Sequence, residues 1–226
     1  VVLRGADGDG AGAVTEGEEA RLLAEQAFLH HHLGAGLGEE GVQRVLGLLG
    51  TTVLGKTRLS EFGFSATAEP PDDPPVRNPW PTSHSSGASS AGAAVLVAGG
   101  AVPLAHANDG GGSIRIPAAW TNLVGIKPQR SRISTAPRTD AFQGLTVNGP
   151  LARTVADAAL LFDMAAGSDA SPEPVTVGAA VGRDPGRLRI ALSVRPPFVA
   201  FRPELHPDVR AGVERIAAQL RSLGHE

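Results

Sequence analysis

Two clusters of small residues, GASSAG at 87–92 and NDGGGSIRIP at 108–117, constrain this chain more than any other feature. The apolar run between them predicts a buried helix over residues 90–98 and a strand over 101–107. Three glycines directly before Ser113 free the backbone to gather N–H groups around an anion. A serine in that setting is a candidate nucleophile, because such amides stabilise the oxyanion that forms when it attacks a carbonyl.

Strands and helices alternate along the chain, which predicts an α/β fold with a mixed sheet flanked by helices. Short apolar segments predict strands at 1–4, 51–54, 123–128 and 187–194. Helical periodicity predicts helices at 18–33, 42–50, 151–167 and 206–226. We expect residues 1–226 to form a single domain that is truncated at both ends, because the chain opens inside a strand pattern and stops after an amphipathic helix.

The composition excludes several classes of function. The chain has 226 residues, of which 42% are hydrophobic and 19% charged, as in ordinary globular proteins. Because it has no cysteine, disulfides, metal thiolates and a cysteine nucleophile are excluded. A net charge of -3 gives no reason to expect a nucleic acid or an anionic membrane as partner. We expect a cytoplasmic protein without cofactor or metal, and leave open whether it forms a homodimer.

The segment GTTVLGKT at 50–57 matches the pattern of a phosphate-binding loop. A phosphate loop needs flexible residues between its glycines and a helix that begins at the Lys-Thr pair. Here TTVL is typical of a strand, and only a short segment follows Lys56 before a glycine and a proline-rich stretch. We therefore interpret the match as a coincidence and expect no nucleotide site.

Six segments together resemble the amidase signature family of serine hydrolases, and their order is the family's order. They are LGKTRLSEF at 54–62, RNPW at 77–80, GASSAGAA at 87–94, AHANDGGGSIRIPAA at 105–119, LVGIKP at 123–128 and GPLARTVADAALL at 149–161. The resemblance extends from about residue 42 to the end of the chain. It implies a layered amidase-signature fold and hydrolysis of a small-molecule carboxamide.

The resemblance also assigns roles to individual residues. It implies that Ser113 is the nucleophile and that Ser89, which follows a cis peptide in the family, relays the proton. It places the oxyanion hole in the backbone of Gly110, Gly111 and Gly112, up to Ser113. Three further residues correspond to family positions that support the loops structurally, namely Ser90, Asp109 and Arg115.

One member of the family's catalytic triad has no counterpart in this sequence. The family uses a lysine at the end of an apolar strand as the base, and burial keeps such a lysine neutral. The chain has two lysines, Lys56 and Lys127, and other family motifs already account for both. The segment VVLRGAD fits the lysine motif best and places Arg4 at the lysine position. An arginine keeps its proton near neutral pH and cannot serve as this base.

Three functions follow from the resemblance. The first is an amidase, whose activity in this chain is in doubt because the lysine is missing. The second is a catalytically inactive amidase-fold protein that binds a ligand or partner. The third is the amidase-like subunit of a tRNA-dependent transamidation complex. Such subunits typically have glutamine where this chain has Ile116, which favours the first two functions.

The histidines suggest two further sites, and the sequence argues against both. His30, His31 and His32 are adjacent, so on a helix their side chains point about 100° apart and cannot converge on one metal ion. His106 precedes Ser113 by seven residues, but the G-x-S-x-G motif that often accompanies a Ser-His-Asp triad is missing there. We expect His106 to end a core strand.

Overall fold

The computed structural model describes residues 2–4, 51–135, 142–166, 176–194 and 204–226. It divides into two compact units, Val1–Val181 and Gly182–Glu226. The predicted helices at 18–33 and 42–50, with the three adjacent histidines, lie outside the described residues. No helix in the described part of the chain is long and apolar enough to span a bilayer.

A five-stranded sheet with the order β2-β1-β3-β5-β4 forms the centre of the first unit. Its strands are β1 (Val2–Arg4), β2 (Thr51–Val53), β3 (Leu104–Asp109), β4 (Val124–Gly125) and β5 (Val147–Ala152). Every strand pair in the described part of the chain is antiparallel, so the sheet described here is antiparallel where we expected a mixed one. The prediction of an α/β fold is confirmed.

Helices cover both faces of this sheet. They are α1 (Ala91–Ala98), α2 (Arg115–Trp120) and α3 (Val155–Ala166), and the short helix α4 (Val177–Ala180) packs against α3. Successive side chains of β3 point to opposite faces. Ala105 and Ala107 therefore pack in a cluster with α1, whereas Leu104 packs in a cluster with Leu161 of α3. The layered arrangement follows from this alternation.

Helix α1 is buried along its whole length, close to the range of 90–98 that the sequence predicts. Small residues let it approach a neighbouring backbone. A Cβ atom at Gly92 would lie 2.7 Å from the backbone nitrogen of Arg58, and the Gly92 N–H donates to the Arg58 carbonyl at 2.9 Å. The segment after β2 therefore lies directly against the start of α1.

Strand β5 was not predicted, because its sequence VNGPLA contains Asn, Gly and Pro, which are typical of turns. Pro150 lies opposite His106 of β3, and its carbonyl accepts the Ile126 N–H at 3.2 Å. The N–H and C=O of one strand residue point to the same side, so the proline nitrogen also faces the β4 side. A Cβ atom at Gly149 would collide with the Ile126 carbonyl oxygen.

The segment GTTVLGKT folds as the sequence indicates. Thr51–Val53 is strand β2, and the next element is a 3-10 helix at Glu61–Gly63. No helix begins at Lys56 in this described stretch. The geometry of a phosphate-binding loop is therefore not present.

Among its described residues, the second unit contains one helix, α5 (Pro207–Ser222), which confirms the helix predicted there. The strand predicted at 187–194 is wrong, because the described residues 187–194 form no strand. Their backbone is instead bonded to the last residue. The Ile190 N–H donates to the Glu226 carbonyl at 2.6 Å, and the Glu226 N–H donates to the Leu188 carbonyl at 2.9 Å.

Candidate active site

The loop that carries Ser113 connects the end of β3 directly to the start of α2. Within it, Gly112 has a φ of +131°, which L side chains rarely adopt. The Ile116 N–H donates to the Gly112 carbonyl at 2.7 Å and so starts the helical turn. Ser113 is half-buried at this turn. The predicted nucleophile therefore lies between a strand and a helix that are both fixed in the core.

The carboxylate of Asp109, at the end of β3, organises this loop. It accepts the Gly112 N–H at 2.7 Å, the Ile114 N–H at 3.2 Å and two bonds from the Arg115 guanidinium at 2.9 Å each. Burial raises the pKa of this carboxyl, but the bonds from Arg115, Ile114 and Gly112 outweigh burial and bring the pKa below its ordinary value. Asp109 is therefore ionised at neutral pH.

The remaining amides of the loop have no acceptor. Within the described part of the chain, no residue accepts a hydrogen bond from the N–H groups of Gly110, Gly111 or Ser113. The N–H groups of Gly110 and Gly111 are thus available to a ligand, and their assignment to an oxyanion hole stays a prediction. The structure gives Gly112 a different role, since its N–H is directed at Asp109.

The loop that carries Ser89 packs against the start of α2. Gly87 has a φ of +74°, and a Cβ atom there would lie 3.0 Å from the Pro117 Cα atom, so both the backbone angle and the close approach require glycine. The peptide between Ala88 and Ser89 is cis, as the resemblance implies. The side chain of Ser89 is buried.

Backbone contacts join the two serine loops. The Ser90 N–H donates to the Ser113 carbonyl at 3.4 Å, and the Ser90 hydroxyl donates to the Asn108 carbonyl at 3.5 Å. The hydroxyls of Ser89 and Ser113 form no hydrogen bond with each other or with any other described residue. The loops are neighbours, and the proton relay between the two hydroxyls stays a prediction.

The structure does not place Arg4 at the base position. Strand β1 runs antiparallel to β3, with Val2 opposite Leu104 at the beginning of β3. The chain from Val2 to Arg4 therefore runs away from Asp109, at the other end of β3, and from Ser113 beyond it. The tentative assignment of Arg4 to the lysine position is wrong, because it relied on a strand motif without knowledge of the strand direction.

Neither lysine has the surroundings of a buried base. Lys56 and Lys127 are both exposed, and the Lys127 ammonium donates to the Pro128 carbonyl at 2.8 Å. A lysine base requires burial to lose its proton near neutral pH. The structure therefore supports the inference that no lysine of this chain fills that role.

The sequence predicts that His106 ends its strand, but in the structure it lies in the middle of β3. It is three residues before Asp109, so the two side chains point to opposite faces of the strand. Burial lowers the pKa of His106 to about 4, which leaves its ring neutral near pH 7. A triad that combines His106, Asp109 and Ser113 is excluded by this geometry. Within the described chain, no three His, Asp or Glu side chains are grouped to hold a metal ion.

A family model described as "Amidase" matches residues 40–226. Among curated relatives, "Putative amidase AmiA2" of Mycobacterium tuberculosis is 51% identical over 188 residues, which are 81% of this chain and 39% of that protein. "Putative amidase AmiC" of the same organism is 45% identical over 192 residues, 84% of this chain and 40% of that protein. This chain thus spans about two fifths of the length of these relatives.

Solved structures give the same result. A 6-aminohexanoate cyclic dimer hydrolase complexed with substrate superposes with a TM-score of 0.69 and 30% identity, over 92% of this chain and 50% of the other. The peptide amidase PAM, in complex with the competitive inhibitor chymostatin, superposes with a TM-score of 0.56 and 30% identity, over 80% and 39%. From the family model, the identities and the shared fold, we conclude that this chain belongs to the amidase family.

Proposed function

We propose that this chain carries the nucleophile and the oxyanion hole of an enzyme that hydrolyses a carboxamide. The observation behind the proposal is the loop after β3, where the amides of Gly110, Gly111 and Ser113 have no acceptor within the described residues. In the reaction, the Ser113 oxygen bonds to the carbonyl carbon, and the carbonyl oxygen becomes an oxyanion. The N–H groups of Gly110, Gly111 and Ser113 stabilise that charge.

Asp109 prepares the loop for this step without touching the substrate. Its buried carboxylate occupies the Gly112 and Ile114 amides and is itself neutralised by Arg115. The loop therefore needs little rearrangement when the oxyanion forms, which is the condition under which amide donors lower a barrier most. Asp109 and Arg115 are positioning residues in this proposal.

Ser89 takes the proton that Ser113 releases. The hydrogen bond from the Ser90 N–H to the Ser113 carbonyl supports this role, because it holds the loop that carries Ser89 next to the loop that carries Ser113. The proton has to continue to a base and then to the leaving amine, whose bond to the carbonyl carbon breaks. Water subsequently attacks the acyl group on Ser113 and releases the acid.

Neither of the two lysines in the sequence suits the role of the base, and we propose that the chain by itself hydrolyses amides poorly. The two exposed lysines and the direction of β1 support this part of the proposal. Loss of a general base typically lowers a rate by about 10² to 10⁴. The second candidate function, a catalytically inactive amidase-fold binding protein, rests on the same observation.

The experiment tests the identity of the nucleophile and the rate of amide turnover in two separate measurements. The chain is treated with a fluorophosphonate, whose phosphorus is attacked by a nucleophilic serine oxygen with loss of fluoride, and the phosphonylated residue is located by peptide mass spectrometry. We expect modification at Ser113 that is lost in Ser113→Ala and kept in Ser83→Ala, a matched change at an exposed serine. Modification of another serine, or none, contradicts the assignment of Ser113.

Amide turnover is then measured on a panel of primary amides with the same three proteins. We expect rates far below the 1 s⁻¹ or so at which typical enzyme turnover begins. Turnover at or above that rate, abolished by Ser113→Ala, would show that a residue other than lysine serves as the base. It would also remove the support for an inactive binding protein.

A further inference from the structure

A phenylalanine ring lies against the first residue of the oxyanion-hole loop. A Cβ atom at Gly110 would lie 3.2 Å from Cδ1 and 3.8 Å from Cε1 of Phe142. The Gly110 N–H is one of the three amides without an acceptor. An apolar ring therefore borders the place where we propose that the substrate carbonyl binds.

A second ring connects Phe142 to the other serine loop. The ring centroids of Phe64 and Phe142 are 6.2 Å apart and the ring planes are tilted by 52°, a favourable arrangement for two aromatic rings. Phe64 follows Gly63, and a Cβ atom at Gly63 would lie 3.9 Å from the Ser89 hydroxyl oxygen. Phe142 thus borders the start of the loop that carries Ser113, and Phe64 directly follows a glycine that borders the Ser89 hydroxyl.

Both rings are open to solvent. Phe64 is 78% exposed and Phe142 54% exposed, although each is a large apolar side chain. Phe142 also has a φ of +54°, a backbone conformation that is uncommon for a bulky residue. The two rings therefore form an exposed apolar surface next to the Gly110 N–H, which has no acceptor within the described residues.

We propose that Phe64 and Phe142 form the binding surface for an aromatic ring or a branched apolar group attached to the substrate carbonyl. This inference rests on the proposed function, since it takes the loop from Gly110 to Ser113 as the place of the carbonyl. The substrate class is then amides of arylacetic or similar apolar acids. Acetamide and other small substrates can bind the backbone N–H groups of the loop, but they leave the rings of Phe64 and Phe142 exposed.

The physical basis is the removal of apolar surface from water. A ring of the substrate covers the exposed faces of Phe64 and Phe142 and adds an aromatic contact to the existing pair. Apolar pockets discriminate between ligands that differ by a small apolar group by about 10- to 200-fold. For an open surface such as this one, we expect the lower end of that range, roughly tenfold.

The test measures binding without hydrolysis. All proteins carry Ser113→Ala, and the dissociation constants of phenylacetamide and acetamide are determined by NMR titration. We expect phenylacetamide to bind roughly tenfold more tightly. Phe142→Ala and Phe64→Ala are each expected to bring the two constants close together. Phe64 is so exposed that its removal leaves folding intact, which circular dichroism checks in every variant.

Phe62→Ala is the matched control, because Phe62 lies two residues before Phe64, is 68% exposed and is not part of the ring pair. It is expected to keep the full preference for phenylacetamide. Equal binding of the two amides, or a preference that Phe64→Ala and Phe142→Ala leave unchanged, overturns the inference. Loss of the preference in Phe62→Ala alone overturns it as well.

The same data distinguish this inference from the proposed function. If the protein with Ser113 hydrolyses both amides without preference, the hydrolase proposal stands and the aromatic surface is refuted. If ring-selective binding depends on Phe64 and Phe142 but the fluorophosphonate never modifies Ser113, the aromatic surface stands and the assignment of Ser113 as the nucleophile is refuted.

Discussion

The buried carboxylate of Asp109 accepts the backbone N–H of Gly112 at 2.7 Å and thereby fixes the loop that carries Ser113. Arg115, from the first turn of α2, closes the same arrangement with two bonds to that carboxylate. One side chain thus ties the end of β3, the loop and the start of α2 together. The stability of the fold and the geometry of the candidate site depend on the same contacts.

Replacement of Asp109 by asparagine should destabilise the chain. An amide keeps one acceptor oxygen, but it loses the charge that faces Arg115 and turns a donor towards neighbouring donors. A buried polar group without its partner costs about 1–3 kcal/mol, so we expect a decrease of that size in the free energy of unfolding, measured with urea. Asp157→Asn, which affects an exposed bond to Thr154, is the control and should change stability little.

The stability that Asp109 contributes should disappear in acid. Its pKa is lowered in the folded chain from an ordinary value of 3.8, so its contribution is complete above that value and is lost as the pH falls through the folded-state pKa. Urea titrations of the wild type and Asp109→Asn should differ by a constant amount from pH 7 to about pH 4. Below this, the difference should shrink. A constant difference down to pH 2 contradicts this assignment.

Arg4→Lys should not restore amide hydrolysis. The direction of β1 carries the backbone at residue 4 away from the end of β3 that leads to Ser113, so we expect a lysine at this position to leave the rate unchanged. The rate constant on primary amides should equal that of the unchanged chain. A rise of about 10²-fold or more that requires Ser113 would place residue 4 at the site and refute the strand direction.

Nucleotides should not stabilise this protein. Because Thr51–Val53 is a strand and no helix begins at Lys56 in the described chain, no row of amides faces a phosphate there. A ligand that binds the native state raises the melting temperature by mass action. Millimolar ATP or GTP should therefore leave the Tm unchanged in both the wild type and Lys56→Ala. An increase of several degrees that is lost in Lys56→Ala would establish a phosphate loop.

Gly149→Ala should destabilise the sheet. The added methyl group collides with the Ile126 carbonyl oxygen, and because both atoms belong to or adjoin the backbone, relief requires strands β4 and β5 to separate. Overpacking of this kind costs about 1–3 kcal/mol. Gly212→Ala is the matched control in helix α5, where a Cβ atom meets only the end of Arg215 at 3.8 Å. It should stabilise the helix by about 1 kcal/mol.

The elements nearest the serines could be predicted from sequence because local chemistry determines them. Small residues permit the close packing of α1, and glycine permits the angles at Gly87 and Gly112. Strand β5 could not be predicted, because Asn, Gly and Pro are poor strand formers. They form a strand here because the segment is buried between β3 and β4. The segment 187–194 has the opposite problem, since its strand pattern finds no neighbouring strand in the described chain.

The contributions of Gly112 and of the phenylalanine pair also depend on tertiary contacts. The sequence places Gly112 among the oxyanion-hole glycines, and only the bond to Asp109 reveals which amide is occupied. Phe64 and Phe142 are far apart in sequence and lie outside any periodic segment. The one available signal was the pattern FGF at 62–64, where aromatic residues occur in a loop next to a family motif.

Pro150 constrains the register of β5 in the sheet. Its nitrogen faces the short strand β4 and cannot donate a hydrogen bond there. Because β4 is short, only a bond at the end of the β4–β5 pair is missing. A shift of β5 by one residue would turn that nitrogen toward β3, at the centre of the ladder, and remove a bond there. The correct alignment sets Val147 opposite Asp109 and thereby fixes where β3 ends and the serine loop begins. Pro150, which lies outside the candidate site, thus helps to determine which residue of β3 precedes the loop that carries Ser113.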